Sequence, residues 1–263
     1  MVALLRLALA ALCDGPALAM RWSDEGIVLS ARRHGESALL VHVLTLERGR
    51  HAGLVRGGQR PKARAVWQIG NRVLASWSAR LAEHLGTMTG ELARGYAAML
   101  IAAPARLAAL AAAAALADAA LPERELHRKA YDGLVALLDA LAADDGWMPA
   151  YVRWELELLA ELGFGLDLAA CAATGARENL VYVSPNSGRA VSEAAGEPYR
   201  ARLLPLPAFL REGAGFAPPT AASVRDGLAL TGFFLEARLF APEGKRLPPA
   251  RARFVAAVEK LGD

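Results

Sequence analysis

The period of the hydrophobic pattern changes near Gly95, and this change restricts the possible folds more than any other feature of the chain. Between residues 24 and 91, short apolar runs alternate with polar, glycine-containing turns. Beyond Gly95 the apolar residues recur every three or four positions, as in Leu134, Leu137, Leu138 and Leu141. The first pattern is typical of strands and the second of amphipathic helices. The sequence therefore predicts an α+β chain whose β-structure precedes its helices.

The first part contains five predicted strands, at 26–29, 37–45, 51–56, 71–77 and, more weakly, 85–89. Segments 32–36 and 47–50 are predicted to be turns. Segment 57–62 (GGQRPK) is predicted to be irregular, because paired glycines and a proline interrupt both ladders and helices. Five short strands in about seventy residues match the size of an OB-fold. We therefore expect residues 20–95 to form an OB-fold β-barrel.

Residues 96–263 are predicted to form a mainly α-helical domain, because alanine and leucine dominate them and favour helices. The clearest helical stripes lie at 107–120, 131–141 and 151–162. Shorter helices are expected at 207–211, 223–240 and 249–261. Segment 167–200 is rich in Gly, Ser, Pro and Asn and has one strand-like run, 180–183. It is expected to be an irregular insert in the helical domain.

The first nineteen residues allow more than one interpretation. They contain an apolar run, 7–12, and an Ala-Leu-Ala sequence at 17–19 that resembles a signal-peptide cleavage site. Arg6 interrupts the apolar stretch, however, and the run is far too short to cross a bilayer. We prefer the interpretation that Met20 is the natural start, because the folded pattern begins directly after it, and that residues 1–19 are an unfolded upstream extension.

Charge is distributed unevenly along the chain. Residues 20–100 contain twelve Lys and Arg against six Asp and Glu, whereas residues 101–263 contain seventeen against twenty. A basic first third on a mildly acidic remainder is typical of a polyanion-binding domain attached to a scaffold, although an ordinary solvated surface is the alternative. The two cysteines, Cys13 and Cys171, cannot form a disulfide framework, which favours a reducing compartment such as the cytoplasm.

No motif for catalysis or for a cofactor is present in the sequence. It has no GxxxxGK[ST] phosphate loop, no HExxH metal pair and no GxSxG serine. Glu157 and Glu161 share a helix face, but a solvated face explains them without catalysis. We therefore expect a protein that is not an enzyme and that uses no cofactor.

Several sequence pieces, in their order, resemble the RecO family of bacterial DNA-repair proteins. Gly35-Glu36-Ser37, Thr45 to Gly49 and Val55-Arg56-Gly57-Gly58 match the turns and strand ends of the RecO barrel. Tyr151 to Leu156, followed by Leu162-Gly163-Phe164-Gly165-Leu166-Asp167, resembles the helix that ends in Leu-Gly-aromatic in this family. The resemblance covers roughly residues 20–261.

This resemblance implies a role in recombinational repair. RecO proteins bind single- and double-stranded DNA, anneal complementary strands, and with RecR help to load RecA onto DNA coated by single-strand-binding protein (SSB). They use no nucleotide, and they contact the acidic C-terminal tail of SSB. The resemblance therefore implies a DNA-binding recombination mediator in the cytoplasm, associated with the nucleoid and not with a membrane.

The basic residues of the barrel are the predicted DNA-binding residues: Arg32, Arg33, Arg48, Arg50, Arg56, Arg60, Lys62 and Arg64. They could follow phosphates with an affinity that falls with salt. The loop 56–64 is expected to be mobile, because Gly57 and Gly58 provide no buried anchor. Trp67 and Trp77 could stack on bases, but core positions are the more common role for tryptophan in a small barrel. The alternative function is a protein–protein adaptor that does not bind DNA.

Two further expectations concern the helical domain. The SSB tail requires an apolar groove with a basic rim, for which Arg153, Arg202, Arg225 and Arg238 are candidates. Relatives with zinc carry two C-x-x-C pairs. Here the first cysteine position is Cys171, but the other three are occupied by Thr174, Ser192 and Ala195, so no zinc is expected. This degenerate zinc-finger-like segment is instead expected to be held by packing of Leu168, Leu180, Tyr182 and Val191.

Overall fold

A computed structural model of the protein describes residues 20–143, 146–211 and 219–261. The expectations for residues 1–19, including Cys13, lie outside the described residues. The chain has the mixed α+β architecture expected from its sequence, with five strands first and a largely helical region after them. No described helix is both long and apolar enough to cross a membrane.

The five N-terminal strands form a closed sheet in the order β1-β2-β3-β5-β4. They are β1 (Met20–His34), β2 (Ala38–Thr45), β3 (Gly49–Val55), β4 (Arg72–Ala79) and β5 (Thr87–Arg94). The long β1 pairs with β2 through its second half and with β4 through its first half, which closes the barrel. A short helix, α1 (Pro61–Val66), lies between β3 and β4.

Three local predictions in this region are wrong. Arg32 and Arg33 lie in β1 and not in a turn, because the ladder with β2 continues to His34 and the turn is Gly35–Ser37. Segment 57–62 is not wholly irregular, since α1 starts at Pro61, and the fixed φ of proline favours the first helical position. The fifth strand runs to Arg94 because pairing with β4 outweighs its polar sequence.

The helical region contains four long helices: α3 (Pro104–Ala120), α4 (Arg128–Ala143), α5 (Trp147–Glu161) and α7 (Ala221–Phe234). Helix α7 continues into a π-helical turn over Leu235–Phe240, and α8 (Pro249–Glu259) ends the described fold. Two short helices, α2 (Tyr96–Met99) and α6 (Glu193–Gly196), are the remaining α-helices of this region in the described residues. The helix expected at 207–211 is only a 3-10 turn, Ala208–Leu210.

The insert at 167–200 contains more β-structure than predicted. Strand β6 (Leu180–Val183) was predicted, but it pairs with β7 (Ala190–Ser192) and β8 (Leu204–Pro205) in a three-stranded sheet. The four expected anchors pack on the main core, where Leu180 and Val191 are buried and Leu168 and Tyr182 are partly buried. Strands of three and two residues are too short to carry a periodic signal, so β7 and β8 were not predicted.

Two hydrophobic clusters hold the described residues together. The smaller lies inside the barrel and includes Val41, Val43, Trp67 and Trp77. The larger lies in the helical region, but it also contains Ile27, Leu29 and Leu44 from the outer side of β1 and β2. The barrel is therefore packed on the helices through a continuous apolar core.

Candidate nucleic-acid interface

Six of the eight predicted DNA-binding residues lie on segments that meet at one end of the barrel. Arg32 and Arg33 are the last strand residues before His34, next to the turn Gly35–Ser37. The other four follow β3 directly or lie on α1 and its approach: Arg56, Arg60, Lys62 and Arg64. All six are exposed. We call these six residues the basic end of the barrel.

Hydrogen bonds from Gln59 hold the two basic segments together. The Gln59 backbone N–H donates to the Ser37 carbonyl at 3.0 Å. Its side-chain Nε2 donates to the carbonyls of Gly35 and Ala38, each at 3.1 Å. Gly58 is buried, and a Cβ there would lie 2.9 Å from Leu39. The expectation that the loop has no buried anchor is therefore wrong, because Gly58 and Gln59 provide one.

The side chain of Asn71 fixes the other end of α1. Its Nδ2 donates to the carbonyls of Ala65 at 3.0 Å and Val66 at 3.2 Å, which the helix leaves unpaired. Its Oδ1 accepts from the Ala97 backbone N–H at 3.3 Å. Asn71 is 1% exposed and links α1 to α2. Sequence reasoning missed it and Gln59, although an amide side chain beside a Gly-rich loop indicates a backbone cap.

The outer face of β1, β2 and β3 continues this basic end. Arg32 lies opposite Leu40, and Leu40 lies opposite Leu54, so these side chains share one face of the sheet. Arg56 follows β3 on the same side of the alternation. Strands 2 and 3 carry the oligonucleotide-binding face in OB-folds. In this protein that face presents Arg32 and Arg56 next to two partly exposed leucines, Leu40 and Leu54.

The cations of the basic end have no carboxylate partner among the described residues, whereas three arginines elsewhere on the barrel, Arg50, Arg72 and Arg94, do. Arg72 binds Glu25 at 2.7 Å, and Arg94 binds Asp139 at 2.6 Å. The chain from Arg48 to Ala82 contains no Asp or Glu at all. The basic end is therefore a region of uncompensated positive charge, which attracts a polyanion more strongly than the same number of paired arginines would.

Arg48 and Arg50 do not belong to this region. Both lie at the opposite end of the β2–β3 hairpin, and seven residues of strand at about 3.4 Å each separate the two ends. Arg50 is in β3 and not in a turn. Its Nε donates to the Leu121 carbonyl at 2.8 Å, and its Nη1 lies 3.2 Å from Asp118 Oδ1. Its donors are committed inside the protein, so Arg50 is not part of the interface described here.

Asp118 on α3 also binds His42 of β2, with 2.6 Å between Oδ1 and Nδ1. Burial raises the pKa of the Asp118 carboxyl, but the hydrogen bond from His42 and the charge of Arg50 outweigh it and hold the pKa below its usual value. Asp118 thus covers the half of the β2–β3 face that lies away from the basic end. It is the sole charged residue between Leu107 and Ala120, which is a sequence signal for such a contact.

Neither Trp67 nor Trp77 is available to stack on an extended strand, because they are 3% and 2% exposed. The Trp77 indole N–H donates to the Leu85 carbonyl at 2.9 Å. Trp67 caps the barrel core beneath α1. Their more common role, as core residues, is the one that the structure shows.

A groove of about 610 Å³ opens beside the basic end, between the barrel and the helical region. Arg33 and Arg64 line it together with Trp67 and Gln68. Its apolar wall includes Ile69 and Ile101, which are 38% and 76% exposed. Two predicted DNA-binding residues from different segments thus border one cavity.

The chain matches two family models that cover most of its length. Residues 20–96 match the family described as Recombination protein O N terminal, and residues 102–247 match Recombination protein O C terminal. The chain belongs to the RecO family. Its five-stranded barrel is accordingly OB-like, and its family places it in DNA repair and recombination.

Similar proteins are named DNA repair protein RecO. The chain is 56% identical over 238 residues to the DNA repair protein RecO of Rhodospirillum centenum, which covers 90% of this chain and 94% of the relative. It is 53% identical over 241 residues to that of Rhodospirillum rubrum, covering 90% and 95%. It is 52% identical over 238 residues to that of Paracoccus denitrificans, covering 90% and 96%.

In this RecO chain, the four arginines expected at the rim of a peptide groove lie on separate segments of the chain. Arg153 donates to the Phe209 carbonyl at 2.9 Å, and Arg238 donates to the Asn186 carbonyl at 2.8 Å. Arg202 and Arg225 are exposed on other elements. A different groove, of about 730 Å³, has an apolar floor with Trp147 and a basic rim of Arg106, Arg253 and Lys260. This rim was not predicted, because Arg106 lies far along the chain from Arg253 and Lys260.

Cys171 occupies the turn that precedes β6 in this RecO chain and is 1% exposed. Ser192 lies beside it, with its N–H and Oγ at 3.3 and 3.4 Å from the Cys171 Sγ. Burial opposes ionisation of the thiol, but hydrogen bonds from Ser192, Thr174 and Ala173 lower its pKa to about 6. Thr174 and Ser192 stand at two of the positions where zinc-binding relatives are expected to have cysteine. Both are therefore neighbours of the thiol and provide hydrogen-bond donors to it.

Proposed function

We propose that this protein is a DNA-binding recombination mediator that acts in the cytoplasm, on the nucleoid. It binds single- and double-stranded DNA through the basic end of the barrel and anneals complementary strands. With RecR it helps to load RecA onto DNA coated by SSB. Membership of the RecO family supports the repair role, and the six uncompensated cations at one end of an OB-like barrel support the DNA contact.

The salt dependence of DNA binding tests the proposed surface. Each phosphate contact made by a Lys or Arg contributes about one unit to the slope of log K against log salt. Replacement of Arg56, Arg60, Lys62 and Arg64 by alanine should weaken binding to every sequence and reduce the slope by up to about four units. The measurement is fluorescence anisotropy of labelled single- and double-stranded oligonucleotides across a salt series.

A charge-matched variant controls for the loss of net positive charge. It replaces four exposed cations far along the chain from the barrel: Arg177, Arg200, Lys245 and Arg246. This variant should retain the wild-type slope. If both variants lose the same slope, the effect comes from net charge and the basic end is not the DNA site.

The alternative class, a protein–protein adaptor, makes a different prediction. An adaptor would show no steep salt-dependent affinity for DNA and would not accelerate annealing. A mediator of the proposed kind should accelerate annealing of complementary strands without ATP, and the variant that lacks the four basic-end cations should lose this acceleration. Annealing that is unaffected by that variant would favour the adaptor or another DNA site.

The groove with the basic rim suits the acidic tail of SSB. Arg253 and Lys260 border an apolar floor, so a short peptide with carboxylates and an apolar end would find both kinds of contact there. Replacement of Arg253 and Lys260 by alanine in the full chain should weaken binding of a tail peptide at least several-fold, while DNA affinity stays unchanged. Unchanged peptide binding, measured by calorimetry, would exclude this groove.

A further inference from the structure

The groove beside the basic end has two features that the binding of phosphates alone does not require. Its wall exposes Ile69 and Ile101, and its edge carries Arg33 and Arg64, neither of which has a carboxylate partner in the described parts of the chain. The buried Trp67 indole closes the floor. A ligand for this groove must therefore be flat or apolar at its centre and negative at its flanks.

We propose that this groove takes an unpaired base of single-stranded DNA, with Arg33 and Arg64 binding the phosphates on either side of it. The inference rests on the proposed function, because it requires DNA at the basic end. A nucleobase has apolar faces and polar edges, and the exposed amide of Gln68 can both donate to and accept from such an edge. The bases of a duplex are stacked and paired, so the groove discriminates in favour of single strands.

Position favours DNA over an acidic peptide as the occupant. Arg64 belongs to α1 together with Lys62, and Gln59 ties α1 and its approach to the β1–β2 turn. The two arginines at the groove therefore lie on the same two segments as four other exposed cations, Arg32, Arg56, Arg60 and Lys62. A polyanion that binds these segments reaches the groove, whereas a short peptide would leave most of these cations unused.

Neutral substitutions in the apolar wall test the proposal without changing charge. The variant Ile69→Ser with Ile101→Ser should lose several-fold to about tenfold in affinity for an oligothymidylate, by analogy with the loss of one base contact. Its affinity for a duplex of the same length, and for an abasic strand of the same charge, should remain within about twofold of wild type. Ile101→Ser alone, at the most exposed position, serves if the double variant folds poorly.

A matched control removes two exposed apolar side chains that do not line the groove, Leu92 and Met99, which are 47% and 52% exposed. The control should bind all three probes as the wild type does. An equal loss on oligothymidylate, duplex and abasic strand would overturn the proposal, and so would wild-type binding of oligothymidylate by the groove variant. If the groove variant keeps oligothymidylate but loses an acidic peptide, the groove serves a protein partner.

The outcomes also separate this proposal from the DNA-binding function itself. If the variant without Arg56, Arg60, Lys62 and Arg64 loses all three probes while the groove variant loses none, the proposed function stands and the base site is wrong. If the wild type binds no probe, the proposed function fails and the base site fails with it.

Discussion

Ion pairs with buried or partly buried carboxylates engage two arginines of this chain inside the protein. Asp118 engages Arg50 and His42, and so removes one arginine from the predicted DNA surface. In the helical region, Glu155 binds Arg251 through two contacts of 2.7 and 2.8 Å and also accepts a hydrogen bond from Thr231. Such pairs persist because leaving one buried charge without its partner costs about 3–5 kcal/mol.

The Cys171 thiol should make stability depend on pH. Its pKa is about 6 in the folded chain against an ordinary value of 9.0. Between these values the unfolded chain binds a proton that the folded chain does not, so folding stability rises with pH across this window and the contribution is lost as pH falls to 6. The difference in urea midpoint between wild type and Cys171→Ala should therefore be larger at pH 9 than at pH 6. A constant difference would show that the thiol remains protonated.

At the level of elements, close approaches of backbone matter as much as side-chain contacts. Gly49 begins β3 at φ +68°, and a Cβ added there would lie 1.7 Å from the Glu125 carbonyl oxygen. The turn between β2 and β3 is thus pressed against the segment that joins α3 to α4. Gly35, at φ +58° in the other hairpin turn, has no atom near its missing Cβ.

Gly49→Ala should destabilise the protein far more than Gly35→Ala. Both variants place alanine in the left-handed region, which costs about 1 kcal/mol. Only the change at Gly49 also forces β3 away from the helical region, so we expect a total loss of about 3 kcal/mol or more. Urea unfolding of both variants measures the difference, and equal losses would contradict the close contact with Glu125.

The segment 167–200 should hold its fold without metal. Cys171 has hydrogen-bond donors where zinc-binding relatives are expected to have thiolates, and Leu180 and Val191 anchor the segment in the core. A chelator should leave thermal unfolding and DNA binding unchanged. Elemental analysis of untagged protein decides the question, since near one equivalent of zinc would show that this prediction is wrong.

At the scale of the whole molecule, the barrel and the helical region should unfold together. Ile27, Leu29 and Leu44 of the barrel are buried in the helical cluster, and burial of three such side chains contributes roughly 5 kcal/mol or more. This amount is comparable to the entire stability of a small domain. Neither part is therefore expected to be independently stable.

A single cooperative transition is the expected result of denaturant titration. In a Trp147→Phe/Trp154→Phe variant the remaining tryptophans, Trp22, Trp67 and Trp77, report on the barrel. Far-UV circular dichroism of the same protein reports mainly on the helices. The two signals should have the same midpoint, and midpoints that differ beyond error would show that the barrel unfolds separately.

The sequence by itself determined the order of structure types and the uneven distribution of charge. Periodicity gave the five-strand-then-helix arrangement, and the run from Arg48 to Ala82 has no acidic residue to offset its cations. These are local properties, which pattern and composition carry directly. The anchors of segment 167–200 were also predicted from the sequence, because they are among the few large apolar side chains of that segment.

Only the tertiary structure decided which basic residues lie near one another. Arg50 and Arg56 are six residues apart, yet β3 carries them to opposite ends of the barrel. Asp118 engages Arg50, whereas Arg56 has no carboxylate partner in the part of the chain that the structure describes. Arg33 and Arg64 are far apart along the chain, yet they line one groove because Gln59 ties their segments together. Long-range pairing places these residues, and no short window of sequence contains both members of such a pair.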